Sequence, residues 1–191
     1  RSHNMVRAVS QDKQGRIWIG TDQDGIDILD KKTGEVRQLR NKAGNERSLQ
    51  NNTVMVLYED SSETMWVGTY KKGISYFNEC AFKFGAEYIG DISCIEEDKE
   101  GYVWLGTNDV GIIYWNSVTG NRAAFPQKGM DKLTTDAIVC ILKAGDGKLW
   151  IGTFGGGLIC YDNGRIIHYK KNIPERQNSL AHNNVLALAE D

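Results

Sequence analysis

The chain has 191 residues, of which 40% are hydrophobic and 25% are charged, and its formal net charge is −2. This composition is ordinary for a globular protein, and the scattered lysines and arginines exclude the basic face that nucleic-acid binding requires. No apolar run reaches the roughly 18 residues of a membrane span, so direct membrane contact is not predicted either.

The first predicted element is a β-strand, named strand A here, in the segment NMVRAVSQD (4–12). Apolar residues alternate with other residues along it, and a period of two is typical of a half-buried strand. The same pattern recurs at 52–60, 90–98, 136–144 and 183–191. A turn follows each of the first four copies, and Asp12, Asp60 and Asp98 recur at its first position, which favours turn capping over catalysis.

Strand B carries a four-letter motif that occurs four times: WIGT (18–21), WVGT (66–69), WLGT (104–107) and WIGT (150–153). The tryptophans are 48, 38 and 46 residues apart, a period typical of four-stranded propeller blades. Alternate residues of a strand share a face, so the Trp and Gly of each motif lie together. We predict that the ring of one blade packs where its neighbour has only Gly. The structural repeat residues are Trp18, Gly20, Trp66, Gly68, Trp104, Gly106, Trp150 and Gly152.

Strand C follows a Gly, as in GIDILD (25–30), and a Gly turn precedes a short strand D, as in KKTGEVRQLR (31–40). The predicted fold is therefore an all-β β-propeller with four four-stranded blades plus the first strand of a fifth, in one domain over residues 1–191. The repeats cover approximately 3–50, 51–89, 90–134, 135–181 and, for the start of the fifth, 182–191. The small residues Ala8, Val56, Cys94, Cys140 and Ala187 predict that the A strands line a common axis.

Binding residues are predicted in the loops between strands B and C, because recognition residues concentrate on loops held by a rigid scaffold. These tripeptides differ completely between repeats whose flanks barely change. Aromatic rings there could stack on sugars, and charged or amide side chains could bind hydroxyl groups. Free drift of unconstrained surface positions explains the variation equally well. The candidates are Asp22, Gln23, Asp24, Tyr70, Lys71, Lys72, Asn108, Asp109 and Phe154.

No catalytic residue, metal site or cofactor is predicted. His3 and His182 occupy equivalent loop positions, and His168 lies on an exposed strand, so solvated histidines are the simpler interpretation. The four cysteines, Cys80, Cys94, Cys140 and Cys160, lack metal-ligand spacing. Equivalent positions on neighbouring blades lie too far apart for a bridge, which predicts that Cys94 and Cys140 are reduced.

The full pattern, N-x-V-x-x-[VIL]-x-[ED]-D, turn, W-[IVL]-G-T, three residues, G-[IL], resembles the two-component regulator propeller repeat. The third repeat departs from it at Gly90 and Asp91, and the fourth at Lys143 and Ala144. The resemblance implies an incomplete part of a seven-bladed propeller in the periplasmic sensor region of a membrane-anchored hybrid histidine kinase. It also implies sensing of glycan fragments, with an oligosaccharide ligand, and control of the transcription of polysaccharide-utilisation genes.

Two alternatives remain at this point. Lyases that open cyclic peptide antibiotics use comparable propellers, but they need a cluster of histidine and acidic residues near the axis, often with Mg. A scaffold that docks protein partners is the other alternative. Partners implied by the resemblance are the remainder of the sensor chain and, since an incomplete ring leaves a blade flank unpaired, a second copy of the chain.

Overall fold

A computed structural model of the chain describes residues 5–45, 47–79, 83–116, 118–126, 133–171 and 179–191. Regular secondary structure in these ranges consists of sixteen β-strands, which form four separate antiparallel sheets. None of these segments forms a helix long and apolar enough to cross a membrane. The chain divides into two compact units, residues 1–92 and 93–191, each built around two of the sheets.

In the first unit, each sheet is a meander of four consecutive strands. The first sheet contains β1 (Val6–Gln11), β2 (Ile17–Thr21), β3 (Ile26–Leu29) and β4 (Val36–Leu39). The second contains β5 (Val54–Glu59), β6 (Met65–Thr69), β7 (Gly73–Asn78) and β8 (Lys83–Glu87).

The second unit repeats this meander. Its first sheet contains β9 (Ile92–Glu97), β10 (Tyr102–Thr107), β11 (Ile112–Asn116) and β12 (Arg122–Phe125). Its second contains β13 (Ile138–Lys143), β14 (Leu149–Thr153), β15 (Leu158–Asp162) and β16 (Arg165–Tyr169). The predicted all-β fold, with strands A to D in each of four blades, is confirmed.

The predicted fifth A strand differs from the others, because residues 183–191 form no strand ladder. The segment nevertheless lies along the fourth sheet: Val185 N–H donates to the Thr153 carbonyl at 3.0 Å, and Gly157 N–H donates to the Asn183 carbonyl at 2.8 Å. Strands A to D pair within their own sheet, and residues 183–191 have no such partner among the described residues. They therefore pack on a blade without joining a sheet.

Three tryptophans are fixed by the aspartate that precedes them by six residues. The indole Nε1 atoms of Trp18, Trp66 and Trp104 donate to Asp12, Asp60 and Asp98 respectively, at 2.8 Å in each case. The other carboxylate oxygen of each aspartate accepts backbone N–H groups of the A–B turn. The predicted capping role of these aspartates is confirmed, and each also satisfies an indole donor in the blade core.

The fourth repeat has Ala144 in place of this aspartate. Trp18 and Trp66 are each 1% exposed, whereas Trp150 is only half-buried. Burying an unpaired polar group costs free energy. Because the turn before Trp150 supplies no carboxylate for its indole N–H, this tryptophan stays closer to solvent.

The glycine of each tryptophan motif receives an aliphatic side chain of the following blade, and the predicted placement of a Trp ring there is wrong. A Cβ on Gly20 would lie 2.6 Å from Val54 Cγ1, and one on Gly106 would lie 2.8 Å from Ile138 Cγ2. Val54 and Ile138 begin the next A strand. The Trp ring cannot take this place because its own aspartate holds it; Trp18 instead packs beside Phe77, with ring centroids 6.2 Å apart.

The cysteines that the structure describes are free thiols: Cys94, Cys140 and Cys160. The predicted reduced state of Cys94 and Cys140 is thus confirmed, while Cys80 lies outside the described residues. Burial raises the pKa of Cys94 to about 12, and burial also raises the pKa of Cys140. Both thiols therefore stay protonated and act as small apolar side chains. The common axis, the single domain, the seven-bladed ring and the self-association stay predictions.

Candidate functional site

All four loops between strands B and C share one frame, made of a buried threonine and a glycine four residues later. The threonine Oγ1 donates to the glycine carbonyl at 2.9 Å in Thr21–Gly25, 3.1 Å in Thr69–Gly73, 2.9 Å in Thr107–Gly111 and 2.7 Å in Thr153–Gly157. Each glycine has a positive φ. A Cβ on Gly25 would lie 2.3 Å from the Leu39 carbonyl oxygen, so only glycine fits. The frame fixes the residue on either side of each tripeptide, and the three residues between them differ from repeat to repeat.

In the first unit, the first loop presents Asp22, Gln23 and Asp24. Asp22 is half-buried and its Oδ1 pairs with Arg7 Nε at 3.1 Å. Asp24 donates its backbone N–H to Thr21 Oγ1 at 3.2 Å. Gln23 is exposed at the loop tip with a φ of 82°, a left-handed conformation that non-glycine residues seldom adopt.

The second loop of this unit presents Tyr70, Lys71 and Lys72, all exposed. Lys71 Nζ lies 5.0 Å from the Tyr70 ring centroid, a cation–π distance. The pKa of Lys71 is raised, mainly by a hydrogen bond with the Tyr70 side chain. The backbone is held on both sides, since Asn51 Nδ2 donates to the Tyr70 carbonyl at 3.0 Å and Lys71 N–H donates to Asp91 Oδ1 at 3.1 Å.

In the second unit, Asn108 and Asp109 are exposed on the first loop, beside Val110, whose N–H donates to Thr107 Oγ1 at 2.9 Å. On the other loop, Phe154 is 60% exposed. Its neighbour Gly155 donates its N–H to Asn184 Oδ1 at 2.8 Å. The Phe154 ring is therefore exposed to solvent on a loop whose backbone is held by a hydrogen bond at the next residue.

The loops also contact the connection that leads from each sheet into the next A strand. Gly25 N–H donates to the Asn52 carbonyl at 2.8 Å, and Gly111 N–H donates to the Asp136 carbonyl at 3.1 Å. Within each unit, the candidate residues thus stand on loops whose positions are set by both neighbouring sheets. In the first unit, one loop carries two half-buried carboxylates, of which Asp22 is paired with Arg7, and the next loop carries two exposed ammonium groups.

The described histidines lie on a strand and in a turn, and the prediction that His168 is exposed is wrong, because it is half-buried on β16 with its Nδ1 atom buried. His182 Nδ1 accepts the Asn184 backbone N–H at 3.0 Å, which is a turn-capping role, and His3 lies outside the described residues. The described residues contain no group of three or more His, Cys, Asp or Glu side chains that could hold a metal ion.

Sequence reasoning missed the residues that support the loops. Arg7 pairs with Asp22, and Asn51 and Asp91 hold the loop of Tyr70 and Lys71. Arg7 lies at a bulge between Val6 and Ala8, where simple alternation along the strand fails. Asp91 directly precedes β9 and Asn51 lies three residues before β5, so a polar residue just before an A strand was the available sequence signal.

Four-stranded antiparallel meanders, with motif glycines that contact an aliphatic side chain of the following blade and with these framed loops, define blades of a β-propeller. The two-component regulator propeller family matches the chain at residues 1–23, 48–71, 89–109 and 132–155, once in each repeat. The chain belongs to this family.

Solved structures support the propeller fold. The extracellular domain of the proposed hybrid two-component system BT3049 from B. thetaiotaomicron is 22% identical, with a TM-score of 0.74 over 88% of this chain and 25% of that chain. PorZ, a surface component of the type-IX secretion system of Porphyromonas gingivalis, is 15% identical, with a TM-score of 0.73 over 100% of this chain and 31% of that one.

Virginiamycin B lyase from Staphylococcus aureus is 15% identical, with a TM-score of 0.67 over 91% of this chain and 58% of the lyase. No curated protein sequence matches the chain significantly. The chain thus spans between about a quarter and three fifths of the lengths of these three proteins. At such identities, the similarity establishes only the fold, and the function has to be argued from the residues of this chain.

Proposed function

We propose that this chain is part of the extracytoplasmic, ligand-sensing region of a two-component sensor, and that its B–C loops bind oligosaccharide fragments. The observation that carries the proposal is the contrast within these loops. Their Thr–Gly frame is constant in all four repeats, whereas the tripeptides within it differ in every one. A surface that varies on a fixed frame is the arrangement expected of a recognition site.

The chemistry of the exposed side chains favours a carbohydrate. Tyr70 and Phe154 are 41% and 60% exposed, and each ring can stack on the apolar face of a sugar. Asp24, Lys72 and Asn108 supply the carboxylate, ammonium and amide groups that bind sugar hydroxyls. The left-handed backbone at Gln23 and Lys71 also supports a binding role, because such strain is concentrated at ligand-binding loops.

The family match and the fold shared with the BT3049 extracellular domain support a proposed cellular setting. The proposal places the chain in the periplasm, in a sensor anchored in the inner membrane whose remaining chain includes a histidine kinase. Ligand binding would regulate transcription of genes for polysaccharide use. The fold shared with a lyase adds no catalytic group to this chain, so an enzymatic function is not proposed.

The test is a thermal-shift screen of the chain against purified oligosaccharides, followed by titration of each one that stabilises it. A ligand at one hundred times its Kd should add about 2.7 kcal/mol to the free energy of unfolding. Tyr70→Ala and Phe154→Ala should each weaken binding of the responding oligosaccharide about fivefold or more if that ring stacks on it, since stacking of a nucleic-acid base, a ring of similar size, on an aromatic side chain contributes about 1–3 kcal/mol.

Val118→Ala is the matched control, because Val118 is 74% exposed on a C–D turn, at the opposite end of its sheet from the B–C loop. Binding to this variant should equal that of the unchanged chain. Oligosaccharide affinity that is unaffected by both ring substitutions would place the site elsewhere and refute the role of these loops.

A further inference from the structure

Each unit contains a cleft between its two sheets, next to the buried tryptophan of the first sheet. In the first unit the cleft has a volume of about 200 Å³, and its lining includes Asp12, Arg16, Trp18, Phe77 and Glu79. In the second unit the cleft is larger, about 310 Å³, and is lined by Asp98, Glu100, Tyr102, Trp104, Tyr114, Phe125 and Tyr161. The two clefts occupy equivalent positions in the repeat, so their differences are informative.

The first cleft is occupied by a guanidinium group of the chain itself. Arg16 Nε donates to Asp12 Oδ2 at 2.6 Å, and Arg16 Nη1 donates to Glu79 Oε2 at 3.0 Å. A second guanidinium, that of Arg37, donates to Glu79 Oε1 at 2.8 Å and lies 5.9 Å from the Phe77 ring centroid. Carboxylates and an aromatic face therefore already bind guanidinium groups at this position of the fold.

In the second cleft both arginines are replaced. Tyr102 precedes Trp104 by two residues, as Arg16 precedes Trp18, and Ala123 pairs with Tyr114 as Arg37 pairs with Ile28. The residues that line this cleft in the described part of the chain include no lysine and no arginine. The second cleft therefore has no counterpart of the Arg16 guanidinium, and aromatic rings line the equivalent space.

Two carboxylates line the second cleft, Asp98 and Glu100. Asp98 occupies the position of Asp12, and the exposed Glu100 replaces the neutral Gln14. Glu59, Glu63 and Glu79, which also line the first cleft, have no acidic counterpart in the second. The second cleft thus has two carboxylates, and the described residues that line it include no cation to balance them.

The aromatic rings of the second cleft form a continuous wall. Ring centroids are 5.5 Å apart for Tyr102 and Tyr114, 5.4 Å for Trp104 and Tyr114, and 5.2 Å for Trp104 and Phe125. Phe125 continues the wall to Tyr161 of the neighbouring sheet, at 4.9 Å. Aromatic faces attract cations through their quadrupole, and a guanidinium can stack on them while it donates to a carboxylate.

We propose that the aromatic cleft of the second unit binds a guanidinium-bearing ligand, whose cation takes the place that Arg16 fills in the first unit. The aromatic wall would stack on the planar cation, and Glu100 and Asp98 would balance its charge. This site is distinct from the B–C loops, and the proposal does not depend on oligosaccharide sensing.

The probes are N-butylguanidinium and its neutral isostere N-butylurea, titrated into the ¹⁵N-labelled chain while the indole N–H signal of Trp104 is followed. The guanidinium should shift this signal saturably, with a Kd at least about tenfold lower than that of the urea, because only the former carries the charge. Equal affinity for the two probes, or no saturable shift with either, would overturn the proposal. So would an oligosaccharide that shifts the Trp104 signal while the guanidinium does not.

Two variants locate the site. Tyr102→Arg places the chain's own guanidinium in the cleft, as in the first unit, and should reduce binding at least about tenfold. Glu100→Gln, at an exposed position that tolerates change, should weaken binding about threefold or more. Glu35→Gln makes the same change of charge on the other unit and should leave the Kd unchanged. Unaltered affinity in the Glu100 variant would contradict the proposal even if the Tyr102 variant failed to fold.

Discussion

Replacement of Asp60 by alanine would test the view that one carboxylate stabilises both the turn and the core of a blade. Asp60 is 1% exposed, and its Oδ1 accepts N–H groups of Ser62 and Thr64, each at 2.9 Å, and the Ser62 hydroxyl at 2.7 Å. Its Oδ2 accepts the Trp66 indole N–H at 2.8 Å. The substitution removes all four acceptor contacts at once.

The expected loss is set by the donors that lose their partner. Trp66 is 1% exposed, so its indole N–H would be left unsatisfied, at a cost of about 1–3 kcal/mol. Loss of the turn cap adds about 1 kcal/mol, the usual effect of removing a capping side chain. The free energy of unfolding should therefore fall by about 2–4 kcal/mol, a large share of the roughly 5–15 kcal/mol typical of a domain.

Urea unfolding followed by tryptophan fluorescence would measure this loss. Asp30→Ala is the matched control, since Asp30 caps a C–D turn through Lys32 and Thr33 without an indole partner; its loss should be about 1 kcal/mol. A double-mutant cycle with Trp66→Phe should give a coupling energy of about 1 kcal/mol or more. If Asp60→Ala costs no more than Asp30→Ala, the indole hydrogen bond contributes nothing and the reasoning fails.

Three further predictions concern other repeat positions. Ala144→Asp should restore the missing acceptor and raise the free energy of unfolding by about 1 kcal/mol, with a blue shift of Trp150 fluorescence; an unchanged spectrum would contradict it. Gly25→Ala should destabilise by about 2 kcal/mol or more in urea unfolding, because a Cβ meets the Leu39 carbonyl, whereas Gly34→Ala, with a similar positive φ and nothing nearby, should cost about 1–2 kcal/mol. Burial opposes ionisation of Asp12, but hydrogen bonds from Trp18 and Arg16 outweigh it and hold its pKa below the usual value. Its stabilising effect is therefore present above the unfolded-state pKa and lost as pH falls through the lower folded-state pKa, and acid unfolding of Asp12→Asn should show a smaller loss of stability over that range.

Much of the fold follows from the sequence because the same local signals occur four times. In the four full repeats, the period-two strands, the turns and the Trp motifs lie where the repeat pattern predicts them, whereas the predicted fifth A strand, 183–191, forms no strand ladder. The partner of each Trp could not be predicted, because a hydrogen bond between residues six apart depends on how tightly the A–B turn closes. The partner of each motif glycine belongs to another sheet, and a pattern within one repeat does not identify it.

The candidate site was predictable in position but not in its contacts. The exposed tripeptides could be located from their variation between constant flanks. The pairing of Asp22 with Arg7 could not, because a strand bulge changes which side chains face the loop. The aromatic cleft escaped detection because its residues are far apart in sequence and come from both sheets of the second unit.

The contact between each motif glycine and the following A strand has a consequence for the order in which the blades become stable. A side chain from later in the chain closes one part of this space: Val54 at Gly20, Ile138 at Gly106 and Val185 at Gly152. The other part is filled by the glycine's own, earlier A strand, as Cys94 does at Gly106. During synthesis from the N-terminus, a newly made blade therefore keeps an open notch until the ribosome has released the next A strand. The packing of each blade is therefore completed only after the next A strand has been synthesised. The stability of a blade includes a nearest-neighbour contribution from the blade that follows.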